Sequence, residues 1–353
     1  MKSKMLSTMV CTGVIALSLV AASNVYGFGY GYGAVATGGT TAFKVTNLND
    51  SGTGSLRDAL STGGRNITFN VSGTIEISSV LIIPSNTTLD GSGKSITIHG
   101  NYVSISNKKN IIIKNIRFRE DSTAPSDKCS LQGSACANIM VDHCSIEWAT
   151  YDCCEFTSSS SNITVQYCII GASIASQYSG CLIDTGNRVS IHHNLWIDNK
   201  TRNPKLKGNC QYIDNVVYNW GATGGIVGGH SSAVWTCDII NNYFIKGPSS
   251  ATDSWATDCT ATDHWYQTGN YKDLDKNGSL NGTLIPASEF PSLGVTLLSS
   301  KQHNPSPAVP VDSAATAVST AASGVWGAQP LDSTDSTYVG YLKSYGKSGV
   351  VGK

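Results

Sequence analysis

Apolar positions between residues 110 and 247 come in short bursts, not along one face of a helix. Each burst holds a few β-branched or aromatic residues and runs into Asn, His or Cys. The series reads Asn110-Ile-Ile-Ile-Lys-Asn-Ile, Asn138-Ile-Met-Val-Asp-His-Cys, Asn162-Ile-Thr-Val-Gln-Tyr-Cys, Arg188-Val-Ser-Ile-His-His-Asn, Gln211-Tyr-Ile-Asp-Asn-Val and Cys237-Asp-Ile-Ile-Asn-Asn-Tyr. Aligned on the last apolar residue before the polar pair, the anchors are Ile113, Val141, Val165, Ile191, Ile213 and Ile240, spaced 28, 24, 26, 22 and 27 residues apart. Short strands at this period predict an all-β solenoid. Each coil can bury its apolar face only against the next. A sandwich is the alternative architecture, but its strands would not need this columnar register.

Stacking predicts columns of like residues. The alignment groups Asn115, Asn215 and Asn242 in one column and Cys144, Cys168 and Asn194 in the next. Asn columns can satisfy backbone groups that a turn would otherwise leave buried and unpaired. Earlier strands are expected near residues 67–71, 73–77, 81–83, 95–98 and 103–105. Beyond Pro248 the pattern weakens, and 249–300 reads as long loops. Residues 301–353 read as a tail that packs along the solenoid and caps it, with a short helix around 334–345.

The amino terminus carries Lys2 and Lys4, an apolar run over 14–22, and then small residues. This is the pattern of a secretory leader over 1–27, cut between 22 and 27. Export to the extracellular space or periplasm follows as an expectation. No later segment has the apolar length of a bilayer span. The formal net charge is zero, so nothing global favours nucleic acid or a membrane surface. Beyond Cys11 ten cysteines remain, an even number that permits disulfides in an exported chain, for example among Cys129, Cys136, Cys153 and Cys154.

Charged residues make up only 14% of the chain, yet Lys200-Thr-Arg-Asn-Pro-Lys-Leu-Lys207 packs four cations into eight positions directly after a repeat strand. Side chains beside a solenoid strand line a long groove, which suits a polymer. Cations there suit carboxylates, and Arg202 offers a fork. The bland reading is a solvated basic turn. A second cluster gathers Asp127, Asp142, Asp152 and Glu155, hard oxygen donors suited to calcium. Its bland reading makes Asp142 a structural partner of His143. A third stretch, Asp273-Leu-Asp-Lys-Asn-Gly278, begins like a calcium loop but has Leu284 where the bidentate Glu belongs, so it reads as a surface turn. His192 and His193 are adjacent on a strand and point to opposite faces. One is expected inside the coil, the other in the groove or solvent.

Several of these segments together resemble the pectate lyases of polysaccharide lyase family 1. Val45-Thr-Asn-Leu-Asn-Asp-Ser-Gly-Thr-Gly-Ser-Leu-Arg-Asp-Ala59 is similar to their entry segment, and Val141-Asp-His-Cys-Ser-Ile-Glu-Trp148 to their V-D-H motif. Ile191-His-His-Asn followed by Arg202-Asn-Pro-Lys-Leu-Lys207 is similar to the strand and R-x-P-x-x-R motif around their catalytic arginine. The resemblance covers roughly residues 28–350. It implies a right-handed parallel β-helix over 28–300, with Ca2+ as cofactor and an acidic polysaccharide, polygalacturonate or pectin, as partner. It implies cleavage by β-elimination in a monomeric enzyme. On this resemblance Arg202 is the base. Lys200, Lys205 and Lys207 bind substrate, Lys207 in place of a second arginine. Asp127, Asp152 and Glu155 hold Ca2+, with Cys129 standing where the family usually has an Asp. The family's substrate lysine has no counterpart around 174–180. A lyase for another uronate polymer or for methylated pectin, and a non-catalytic polysaccharide-binding or adhesin β-helix, are the alternative readings. The second differs from an enzyme in whether Arg202 must share a groove with the carboxylates.

Overall fold

The computed structural model describes residues 29–174, 179–221 and 223–352. The leader expected at 1–27 lies outside the described residues. The chain winds into a parallel β-helix of about 10 turns. Its strands form one 17-stranded and one 10-stranded sheet. One coil shows the plan: Asp152–Thr157 and Ser161–Gln166 enter the larger sheet on either side of a turn, and Ile169–Gly171 enters the smaller. In the next coil the first two merge into Ser179–His192, and Lys205–Ile213 follows suit above it. Neighbouring coils pair in parallel, Val141 opposite both Ile113 and Val165. The solenoid continues beyond Pro248, where loops were expected, through Asp263–Thr268 and Tyr271–Asp273.

A strand alternates its side chains, so one residue in two faces inward. Some of the bursts are nonetheless apolar throughout, because parts of the outer surface are covered too. Ile112 and Met140 point outward and lie under Ala36 of the N-terminal segment. Ile213 and Ile240 lie under Val309 of the C-terminal segment. That covering misleads an alignment on the last apolar residue. The register pairs Ile191 with Tyr212, and Tyr212 with Ile239, so Ile213 and Ile240 sit one place beyond the true equivalents.

The same slip corrects the polar columns. Cys144, Cys168, Asn194, Asn215, Asn242 and Asn270 form a single interior column. Each backbone N–H in it donates to the side chain one coil on: Asn194 to Asn215 Oδ1 at 3.1 Å, Asn215 to Asn242 Oδ1 at 2.9 Å, Asn242 to Asn270 Oδ1 at 3.0 Å. Asn115 belongs to the neighbouring column with His143, Tyr167, His193, Asp214 and Asn241, all left-handed with φ of 49–55°. Asn tolerates that conformation best among residues with a Cβ. At another corner Asn86, Asn110, Asn138 and Asn162 form a ladder of side-chain amides 2.8–3.0 Å apart.

His192 and His193 depart from their expected faces. Their Nδ1 atoms lie 3.0 Å apart, and both rings are buried. Neither lines a groove: His193 turns a corner and reaches Asp214 and Asp312 beneath the C-terminal segment. Asp142 is structural, its Oδ1 meeting His143 Nδ1 at 2.8 Å and accepting from Gln166. In the loop at 273–278 Asp275 accepts hydrogen bonds from Asn277, which is the work of a surface turn. All ten described cysteines are free thiols, Cys129, Cys136, Cys153 and Cys154 included, and all but Cys259 are buried. Small and weakly polar, they stack in the coil as packing residues.

Two helices, Ala314–Ser323 and Ser333–Lys343, cover the outer face of the smaller sheet. The first falls in a stretch rich in Ala, Ser and Thr whose helical pattern the sequence reading did not pick out. Ala317, Val318, Ala321, Tyr338 and Leu342 pack on Leu195, Ile197, Val216, Tyr218 and Ile245. Ion pairs lock this cover. Arg117, fully buried, places Nε 2.6 Å from Asp335, and Arg119 places its guanidinium 2.6 Å from both Glu147 and Asp332.

Asn242→Ala strips partners from the Asn215 N–H and the Tyr212 carbonyl at once. A cost of about 3 kcal/mol is expected from two orphaned buried groups, read as a lower denaturation midpoint with an unchanged slope. Asp214 gives a pH-dependent case. Burial raises its pKa from 3.8 to about 8, although the Asp312 N–H donates to it. The unfolded chain therefore ionises first, and the fold loses stability as pH rises from about 4 to 8. Asp214→Asn keeps the acceptor and suits the φ of 54°. Its melting temperature should exceed wild type at pH 9 by a margin that shrinks toward pH 4.

Candidate active site

The cationic run begins on the turn after Leu195–Ile197 and ends on the strand Lys205–Ile213. Within that strand Leu206 faces the core, so Lys205 and Lys207 face out, two residues apart on one side of the pleat. Across the sheet, Gln132, Glu155, Leu182, Lys205 and Val227 stand in one row, and Thr157, Asp184 and Lys207 in the next. These rows make the floor of a shallow groove across the coils.

Arg202 stands at the edge of that floor on a rigid turn. Its φ is 55°. Its carbonyl accepts from the Cys181 N–H at 2.8 Å. Asn199 Nδ2 donates to Ile170 O and to Asn203 Oδ1, Asn203 reaches Gly225 O, and Tyr212 Oη donates to Asn203 O at 2.9 Å. Asn199, Asn203 and Tyr212 therefore hold the arginine from below. Their polar atoms are buried in the coil, and no motif sets them apart from the other asparagines. Gly180 permits the approach: a Cβ there would lie 2.5 Å from the Arg202 carbonyl oxygen.

The guanidinium is spoken for. Its Nη1 lies 2.8 Å from Asp152 Oδ2, and the group sits over the Tyr151 ring at 5.7 Å. Burial works against its charge, but Asp152 and Tyr151 more than offset this and raise its pKa. Burial likewise raises Asp152, to about 6 in spite of Arg202, and leaves its Oδ1 without a partner. Arg202 and Asp152 thus share one site. Glu155 lies nearby, its pKa raised by burial. Cys129 touches Glu155, and burial followed by Glu155 and Asp152 pushes its thiol well up, so it stays neutral. Asp127 does not join them. It lies on an exposed turn, 2.9 Å from its neighbour Lys128. Among the described residues no three His, Cys, Asp or Glu side chains converge on one point as a metal set. The partnerless Asp152 oxygen and Glu155 suit an oxygen-seeking cation, with the remaining oxygens drawn from bound ligand and water.

Two cavities open on this floor. One, of about 250 Å³, is lined by Lys200, Arg202, Lys205, Thr223 and Asp258. The other, of about 170 Å³, is lined by Arg202, Lys205, Lys207, Asp184 and His230. Lys207 Nζ lies 2.8 Å from Asp184. Lys200 and Lys205 have no carboxylate at that range among the described residues. Positions 175–178, where the family's substrate lysine was sought, lie outside the described residues. Asp184, Asp258 and His230 escaped the sequence reading because each sits on a different coil from the basic run.

A probable pectate lyase C of Aspergillus fumigatus is 40% identical over 325 residues, which is 90% of this chain and 77% of that protein. The chain belongs to the pectate lyases. It is therefore a polysaccharide lyase. No family model matches the chain. Among solved structures, a thermostable pectate lyase superposes with a TM-score of 0.61 at 18% identity, covering 86% of this chain and 97% of that one. A pectate lyase bound to a hexasaccharide gives 0.60 at 17% identity, covering 86% and 97%. At such identities these two likenesses speak for the fold.

In this pectate lyase Gly180→Ala should displace the Arg202 turn and leave the core intact. A fall in kcat/KM of about tenfold or more, with a melting temperature within a few degrees of wild type, is the expected pair of results.

Proposed function

We propose that the protein is exported as a monomer and cleaves polygalacturonate by β-elimination in the groove over Arg202, Lys205 and Lys207. The observation that carries this reading is the cationic floor itself: four basic side chains in one turn and the strand it enters, around two cavities, in a chain otherwise poor in charge. A polyuronate offers one carboxylate per sugar, and lysines at the spacing of a pleated sheet meet such a repeat. No described helix is long and apolar enough to cross a membrane.

The reaction removes the proton on C5, beside the uronate carboxylate, and expels the oxygen on C4. A 4,5-unsaturated uronate remains. Asp152 and Glu155 would hold a calcium ion. When bound, it supplies positive charge that makes the C5 proton more acidic. Lys200 and Lys207 hold carboxylates along the chain. Arg202 takes the C5 proton, which requires its bond to Asp152 to loosen, because that bond favours the protonated guanidinium. Electrostatic stabilisation of the developing carbanion is the larger share of the catalysis.

A lyase for methyl-esterified pectin is the second reading, favoured by Asp184 and Asp258 in the groove. Carboxylates there oppose a fully charged polymer.

Ultraviolet absorbance of the unsaturated product tests both. With polygalacturonate, product should accumulate with calcium, fall sharply with chelator, and be reduced at least about a hundredfold in Arg202→Ala. Faster product from pectin than from pectate, indifferent to chelator, would select the second reading. No product from any uronan would leave only a binding module.

A further inference from the structure

We propose that Lys205 is a second catalytic residue, the acid that protonates the departing glycosidic oxygen while Arg202 takes the C5 proton. This rests on the β-elimination reading above and adds a group to it.

Placement carries the inference. Among the described residues, Arg202 and Lys205 are the two side chains that line both cavities. Consecutive sugars lying in the two cavities put the bond between them at the shared wall. The scissile linkage therefore faces Arg202 and Lys205, and each flanking sugar has its own set: Lys200, Thr223 and Asp258 on one side, Lys207, Asp184 and His230 on the other. The other cations are committed or peripheral. Lys207 is tied to Asp184 at 2.8 Å, and Lys200 lines only one cavity. Lys205 lies half-buried on the strand floor, opposite Leu182 and Val227, with no carboxylate at ion-pair distance among the described residues.

The environment suits an acid. Burial lowers the pKa of Lys205, and Arg202 and Lys207 lower it further, while Asp258 and Asp184 act the other way. His230 and Lys200 complete the charged or titratable groups lining the two cavities. An ammonium whose pKa falls toward the working pH gives up its proton more readily.

The step balances without a co-reactant. Neutral Arg202 accepts the C5 proton, and the C5–H electron pair becomes the second bond between C4 and C5. The C4–O bond breaks, its pair stays on oxygen, and the Lys205 Nζ proton goes to that oxygen. Arg202 is left protonated and Lys205 neutral, and exchange with water restores both.

The test compares wild type, Lys205→Ala, Lys205→Met and Lys205→Arg on polygalacturonate and on a uronide carrying fluorine at C4. Fluoride leaves without a proton. On the polymer, kcat should fall about a hundredfold in all three variants, because arginine is too weak an acid to substitute. The alkaline limb of the kcat profile should vanish with it. On the fluoride, all four proteins should eliminate at rates within a few-fold of each other. Lys205→Met keeps the aliphatic stem, and circular dichroism melts confirm that each variant is folded. A raised KM with kcat preserved, full activity in Lys205→Arg, or equal losses on polymer and fluoride would each overturn the proposal, leaving Lys205 a carboxylate binder. Absence of unsaturated product from wild type would instead strike the β-elimination reading itself.

Discussion

The molecule depends on how its corners dispose of backbone hydrogen bonds. A coil must turn sharply several times, and each turn takes N–H and C=O groups out of the strand ladder. The interior column from Cys144 to Asn270 accepts those N–H groups one coil at a time, and its amides return to carbonyls deeper in the stack. The left-handed residue just before it makes the bend. These adjacent positions lock the register, and a slip of one residue would put an amide in solvent and a corner residue in the core.

The groove inherits its geometry from that register. Because strands pair without stagger, Glu155, Leu182 and Lys205 form a straight row, about 5 Å per step. The Cα atoms of Glu155 and Lys205 are thus about 10 Å apart along a rigid floor. The floor's charge is mixed. Asp152 takes up Arg202 and Asp184 takes up Lys207, so binding a polyanion must compete with protein carboxylates. Such pairs place the cations before substrate arrives and weaken the affinity each can give.

The solenoid was legible because its period repeats along the chain, and a repeated signal survives local error. The error at Ile213 and Ile240 shows the limit. Which apolar residue faces inward depends on what covers the outside, and Val309 is far away in sequence. The basic run was legible for a like reason, being contiguous. Asp127 lies on an exposed turn apart from Asp152, which a motif position could not convey, because it says nothing of whether a turn folds over the groove or away from it. Tyr151, Asp184 and His230 come from separate coils, and the ion pair of Arg117 with Asp335 joins residues 218 apart.

That long link has a consequence for how the fold closes. Arg117 and Arg119 sit within early coils, and they meet the carboxylates of Asp332 and Asp335 only once the helix Ser333–Lys343 has docked. Removing either carboxylate beneath the docked helix would leave a guanidinium buried and underpaired, a penalty of about 3–5 kcal/mol for a broken pair. The helix acts as a clasp that ties an early stretch of the solenoid to a late one. A chain clipped ahead of this helix would bare the apolar outer face of the smaller sheet to solvent and proteases.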